Sequence, residues 1–237
     1  MLDFRLMAEA FPAILGGVGN TLALVSGSLA IGIFLAVPTA LASLSAYRPL
    51  RGAASLYVTC FRGTPLLVQI FLIYYGLGQF AAVRDSILWP VLREPWWCAL
   101  LALSLNTGAY TGEIVRGGLL SVPAGQIEAA RAAGMSGLLL YRRIVGPIAL
   151  RQALPAYSNE VVSMIKATAL ASTVTIMEVT GIARRFISET FKPVEIFLVA
   201  GAVYLALTFL AARCLRIVEW RLSPHLRHAP APIPAAK

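Results

Sequence analysis

The chain has 237 residues, of which 58% are apolar and only 13% charged, and its mean hydropathy is +0.76. Soluble domains run at about 45–50% apolar and about 25% charged, so an ordinary soluble domain is excluded and lipid is the expected solvent. The formal net charge of +9 does not indicate nucleic acid, because the basic residues alternate with apolar runs instead of forming a basic face; such residues gather in cytoplasmic loops and set orientation.

A bilayer-crossing helix takes about 20 mostly apolar residues. Residues 10–47 hold no Asp, Glu, Lys or Arg and predict a first span over about 18–42, led by an interfacial piece. Asp3, Arg5 and Glu9 precede an apolar run too long for a signal-peptide core, so no cleavable signal is expected. Further spans are predicted at 63–83, at 95–112 between Glu94 and Glu113, at 152–177 interrupted only by Glu160 and Lys166, and at 196–212. The fold class is therefore all-α and polytopic, with five spans and the termini on opposite sides.

Placing the N-terminus outside puts twelve Lys and Arg residues inside and six outside, with Arg62 and Lys166 at or within spans. That bias predicts N-out and C-in, and it sets Trp89, Trp96 and Trp97 at the outer interface. Residues 1–222 are read as one membrane domain, and 223–237, rich in Pro, as a polar cytoplasmic tail. Cys60, Cys98 and Cys214 lack metal or redox spacing and are expected as buried small hydrophobes. No internal repeat is evident.

Several segments carry polar chemistry. In Phe61-Arg62-Gly63-Thr64-Pro65-Leu66-Leu67-Val68-Gln69, Thr64 is expected to cap a helix that starts or restarts at Pro65. Snorkelling to the interface would account for Arg62 without a function, but not for the full string. Asn106, Tyr110 and Glu113 follow at i, i+4 and i+7, one helix face that should meet protein or a water-filled path. Glu113 also lies within reach of Arg116.

Between the third and fourth spans, the loop at about 121–150 predicts a helix over 126–133 stopped by Gly134, then a second helix from about Leu138 that meets Pro147. Glu128 is expected near the first turn, where the helix dipole favours a carboxylate.

In the fourth span Asn159, Ser163 and Lys166 share a face, with Glu160 one position round. Ionisable groups at this depth cost about 2.5–3.5 kcal/mol and mark a path or a partner. Glu160 and Lys166 stand about 120° apart on an ideal helix, so mutual pairing is not expected. Glu160 and Glu178 are the carboxylates offered to a cationic substrate. Met177 to Pro193 is read as an amphipathic element at the outer surface. No P-loop, H-E-x-x-H or G-x-S-x-G occurs, so neither ATP binding nor enzyme chemistry is expected in this chain. His225 and His228, the only histidines, fall in the polar tail.

Glu128-Ala129-Ala130, three residues, Gly134, nine residues, Ile144, two residues and Pro147 resembles the EAA loop of ATP-binding-cassette importer permeases. The strings Phe61–Gln69, Leu105–Gly118, Leu154–Lys166 and Thr175–Ala183 are similar to permeases of polar amino acid uptake (histidine, glutamine, arginine, opine), most of all the M-type subunits. The resemblance implies a type I importer permease fold and a bacterial inner-membrane complex. Its implied partners are ABC ATPase subunits that bind the ATP, a second homologous permease and a periplasmic binding protein, with an amino acid or opine as cargo. It implies that Glu128, Ala129, Ala130, Arg131, Gly134, Ile144 and Pro147 dock on the ATPase. Gly146 departs from the pattern, which usually has Leu before the Pro. A secondary transporter or channel for small polar solutes is the rival reading.

Overall fold

The structure, a computed structural model, describes residues 2–222; the tail at 223–237, with His225 and His228, lies outside them. The described residues hold helices and turns and no strand. Helix α1 (Phe4–Gly16) runs almost unbroken into α2 (Val18–Ser43), and after a short turn comes α3 (Arg48–Gly63). Helix α4 (Leu66–Phe71) continues through a π turn at Leu72–Gly76 and a 3-10 turn at Leu77–Gln79. Two short turns, α5 (Ala81–Arg84) and α6 (Trp89–Leu92), lead into α7 (Pro95–Leu120).

The connecting segment is α8 (Ala124–Ala132), α9 (Gly137–Leu140) and a π turn at Tyr141–Val145. It feeds α10 (Gly146–Ala167), a 3-10 turn at Thr168–Val174, α11 (Val179–Thr190) and α12 (Pro193–Leu222).

Helix α7 is the axis of the bundle and carries more buried residues than any other helix. Leu24, Val25, Ile70, Ala99, Leu103, Met164 and Val174 close one core around it, from α2, α4, α10 and the turn that follows. Lipid tails are as apolar as leucine, so helices here associate through close packing of small residues more than through expulsion of water. Gly108 and Gly112, four apart on α7, face Leu35, Ala36 and Thr39 of α2. From the other side, a Cβ on Gly32 would lie 2.4 Å from Thr107 Cγ2. Two buried serine hydroxyls are satisfied within their own helices: Ser28 Oγ donates to Leu24 O and Ser104 Oγ to Leu100 O, each at 2.6 Å.

The membrane segments differ from the sequence expectation in extent. The first is a 40-residue helical stretch, Phe4–Ser43, and its leading part packs into the fold: Ala10 and Ile14 are buried against Val179, Ala183, Ile196 and Val199 of α11 and α12. Gly17 allows this, since a Cβ there would stand 2.6 Å from the Glu178 backbone. The second span is two helices bent by 106° at Gly63–Leu66. Helices α7 and α12 run past the ends of their apolar runs because helical hydrogen bonding does not stop where hydropathy does. The segment after Met177 is helical, but Val179, Gly181 and Ala183 bury one face in the fold.

Cys98 is buried, with Sγ donating to Leu92 O, whereas Cys60 and Cys214 are exposed. The expectation of burial fails for those two because apolar side chains on a membrane bundle face outward into lipid at no cost.

Overpacking a close helix contact costs about 1–3 kcal/mol. Gly32→Val should therefore lower the thermal unfolding midpoint of the detergent-solubilised assembly, read by differential scanning fluorimetry, while Gly52→Val, on open surface, should not.

Candidate functional site

The break between α3 and α4 builds the site. Pro65 has no N–H and holds the preceding Thr64 in extended backbone (ψ 145°), so the helix cannot continue through them. The bend frees carbonyls at the end of α3 in an apolar setting, where each unpaired group costs several kcal/mol. Gln69 supplies the donors: its Nε2 reaches Phe61 O at 2.8 Å, Thr64 O at 3.1 Å and Thr64 Oγ1 at 2.9 Å. Asn106 Nδ2 on α7 donates to Phe61 O at 3.2 Å and to Gln69 Oε1 at 3.1 Å. Thr64 Oγ1 donates backwards to Cys60 O at 2.7 Å, so it closes the end of α3 and does not cap the start of α4, as the sequence had suggested.

A polar cavity of about 370 Å³ opens beside this break. Its walls include Thr64, Asn106, Tyr110, Glu160 and Ser163, so residues of α7 and α10 chosen from the sequence do meet in space. Glu160 Oε1 accepts from Thr107 Oγ1 at 2.8 Å, leaving its second oxygen without a hydrogen bond. Tyr110 presents a ring face over which the Arg62 guanidinium sits, 5.1 Å from the centroid. Glu113 lies one step further along α7 and accepts two bonds from Arg116, at 2.9 and 2.8 Å, with Arg62 Nη1 at 3.8 Å. Glu113 and Arg116 in turn help line a second polar cavity of about 320 Å³ with Ser43, Arg51, Ser55 and Thr59.

The remaining proposed path residues lie elsewhere. Asn159 and Lys166 stand outside the cavity and share an exposed face of α10 with Ser163, which lines it, and Lys166 has no ion-pair partner among the described residues. Glu178 does not line the cavity. Fully buried, it caps α11, accepting from Gly181 N at 2.8 Å and from the Tyr204 hydroxyl at 2.5 Å. Its carboxylate is thus committed to holding α11 against α12. Gln69 and Thr107 received no role from the sequence; the only signal was an amide four residues past a proline within an apolar run.

The α7–α10 connection has a small core of its own. Val122, Ala130, Leu140, Val145 and Ala149 are buried together, with Ile127 and Ile144 packed against them. Gly134 is left-handed (φ +81°) and Met135 N reaches back to Ala130 O at 3.0 Å, ending α8 as expected. Glu128, Ala129, Arg131 and Gly134 are exposed, Ala130 is buried, and Ile144 and Pro147 are half-buried. Glu128 falls beyond the first turn, because α8 starts at Ala124 rather than Gln126. Gly146 has a reason: Gly146 N bonds Tyr141 O across the π turn, and a Cβ there would meet that oxygen at 2.8 Å.

The arrangement has relatives. A crystal structure of an amino acid ABC transporter with histidines matches with a TM-score of 0.82 at 33% identity, covering 93% of this chain and 99% of that one. The all-helical bundle with this likeness defines an ABC importer permease. Residues 28–224 match the family described as binding-protein-dependent transport system inner membrane component, and the chain belongs to that family. It is 57% identical over 228 residues to an octopine transport system permease protein of Rhizobium meliloti, covering 96% of this chain and 93% of that one. Against an arginine ABC transporter permease protein of Haemophilus influenzae it is 41% identical over 211 residues, covering 89% and 92%. Membership makes it an inner-membrane component that works with an ATPase and a substrate-binding protein.

Removing the donor that serves the break should be costly. Gln69→Leu keeps the volume but strands buried carbonyls, at about 1–3 kcal/mol. A lowered unfolding midpoint is the expected result, with Gln69→Glu no better because a carboxylate donates nothing to carbonyls.

Proposed function

We propose that the chain carries a cationic amino acid or an opine through the Glu160 cavity, driven by ATP bound in a separate subunit. The observation that carries this reading is Glu160 itself: a carboxylate with one oxygen committed to Thr107 and the other unbonded, on the wall of a polar cavity. A carboxylate beside an aromatic face suits a guanidinium or ammonium group, through a charge-assisted hydrogen bond and a cation–π contact. The volume falls within the range of about 300–1,000 Å³ usual for small-molecule sites. Relatives named for octopine and arginine agree with that chemistry.

A second permease completes the path. Asn159, Ser163 and Lys166 are exposed at membrane depth, where a bare polar face is costly, and a facing homologous subunit would enclose them in a shared cavity. The N-terminus is outside and the C-terminus inside, in accord with the basic-residue bias. That orientation sets α8 in the cytoplasm as the coupling helix. Its exposed Glu128, Ala129, Arg131 and Gly134 meet the ATPase, while Ala130, Ile144 and Pro147 hold the loop together as one body. ATP-driven closure of the ATPases then moves α7 and α10 through it.

The complex, reconstituted with its ATPase and binding protein, should take up a basic amino acid. Glu160→Gln should reduce that uptake by about 10–100-fold, equivalent to a charged hydrogen bond of about 1.5–3 kcal/mol. Uptake that ignores Glu160→Gln would sink the cavity assignment. Joint replacement Glu128→Ala with Gly134→Leu should leave membrane insertion intact but separate ATP hydrolysis from uptake; wild-type coupling in that variant would remove α8 from the coupling role.

A further inference from the structure

We propose that Arg62 is a resident surrogate for the cationic substrate: its guanidinium occupies the cation's partners when the path is empty and yields to the incoming cargo. The proposal rests on reading the Glu160 cavity as the substrate path. Arg62 is the penultimate residue of α3, two positions before the Thr64–Pro65 break. It stands between the two polar cavities, since Tyr110 lines one and Glu113 the other.

The geometry is that of a group held loosely. A guanidinium offers five N–H donors, yet Arg62 donates none of the hydrogen bonds found among the described residues. Its distance to Glu113 is 3.8 Å, against 2.8 Å for Arg116. Arg116 already satisfies Glu113 through two bonds. The side chain of Arg62 remains 43% exposed. Arg62 therefore leans on an aromatic partner that a basic side chain in the cavity would need, the Tyr110 face, without a hydrogen bond to lock it.

An empty path would otherwise leave the Glu160 carboxylate uncompensated in a low-dielectric setting. A guanidinium over the Tyr110 face, on the wall of the same cavity as Glu160, keeps a positive charge beside it between transport cycles. Two cations cannot share the place: at about 4 Å they repel by about 4 kcal/mol at an effective dielectric of 20. An arriving cation displaces Arg62, and the returning guanidinium favours the cation's departure. The break beside it supplies a short lever, because the end of α3 is joined to α4 through an extended residue and not through a continuous helix.

The test is retention of radiolabelled arginine by the purified permease–ATPase complex in nanodiscs, with Glu160→Gln as the reference variant. A resident that holds its place nine-tenths of the time lowers apparent affinity about tenfold. Arg62→Gln should therefore bind arginine about tenfold more tightly while slowing its release and lowering turnover. Tighter binding with lower turnover is a split that a merely structural role does not produce. Should that variant fail to assemble, Arg62→Lys carries the test. It keeps the charge but loses the planar stack, and retention should rise roughly two- to fivefold, the equivalent of an exposed cation–π contact.

Weaker or unchanged retention in either variant overturns the surrogate; weaker retention would identify Arg62 as the anchor for the substrate's carboxylate. The two readings fail separately. If Glu160→Gln does not affect retention, the cavity reading is wrong. If retention depends on Glu160 and still falls when Arg62 is replaced, the cavity stands and the surrogate does not.

Discussion

One broken helix organises the polar interior. A bundle with so apolar a composition has no free-energy reason to hold a cavity, and continuous helices would satisfy every backbone group without one. Pro65 prevents that solution, and the carbonyls at the end of α3 must find donors from side chains. Gln69 and Asn106 supply them, which fixes α4 and α7 around the break. The space left beside the bend is where Tyr110, Glu160 and Ser163 converge. The cavity is thus a by-product of backbone accounting, later filled with charge.

The same economy separates carboxylates with a free oxygen from those fully committed to the fold. Glu160 sits within α10 and Glu178 at the N-cap of α11, where both Glu178 oxygens are engaged, with Gly181 and Tyr204. Glu160 has one oxygen engaged and opens onto a space. Glu113 is a third case, neutralised by Arg116 on its own helix one turn away. Three acids of equal intrinsic chemistry are distinguished by how many of their acceptor sites the fold has already used. The connecting loop follows another logic: five buried apolar residues pack α8, α9, the π turn and the start of α10 into a small core of their own.

Much of this was legible in the chain. The all-helical membrane class follows from composition. The stop at Gly134 follows from the left-handed conformation only glycine adopts freely, and the shared face of Asn106, Tyr110 and Glu113 follows from helical periodicity. The poor placement of Glu160 against Lys166 also held: no ion pair joins them. The span limits were less legible, since α1 looked separate from the first span and instead runs into it, with Ala10 and Ile14 packed on α11 and α12. Thr64 looked like an N-cap and serves the preceding helix, because a bend of 106° turns its hydroxyl back toward Cys60. Gly146 looked like a lapse from a pattern and is what the π turn requires.

Taken alone, the order of residues determined the solvent, the helical repeat and the places where helices must stop, since these depend on composition, on spacing and on the backbone limits of Gly and Pro. Tertiary structure decided which polar groups remain available. Whether a carboxylate or an amide is spent or free depends on partners far away in the chain: the Thr107 hydroxyl donates to Glu160, the Phe61 carbonyl accepts from Asn106, and the Tyr204 hydroxyl donates to Glu178. Those separations, of 53, 45 and 26 residues, exceed the reach of any local pattern, and only the packed bundle brings the groups within hydrogen-bonding distance.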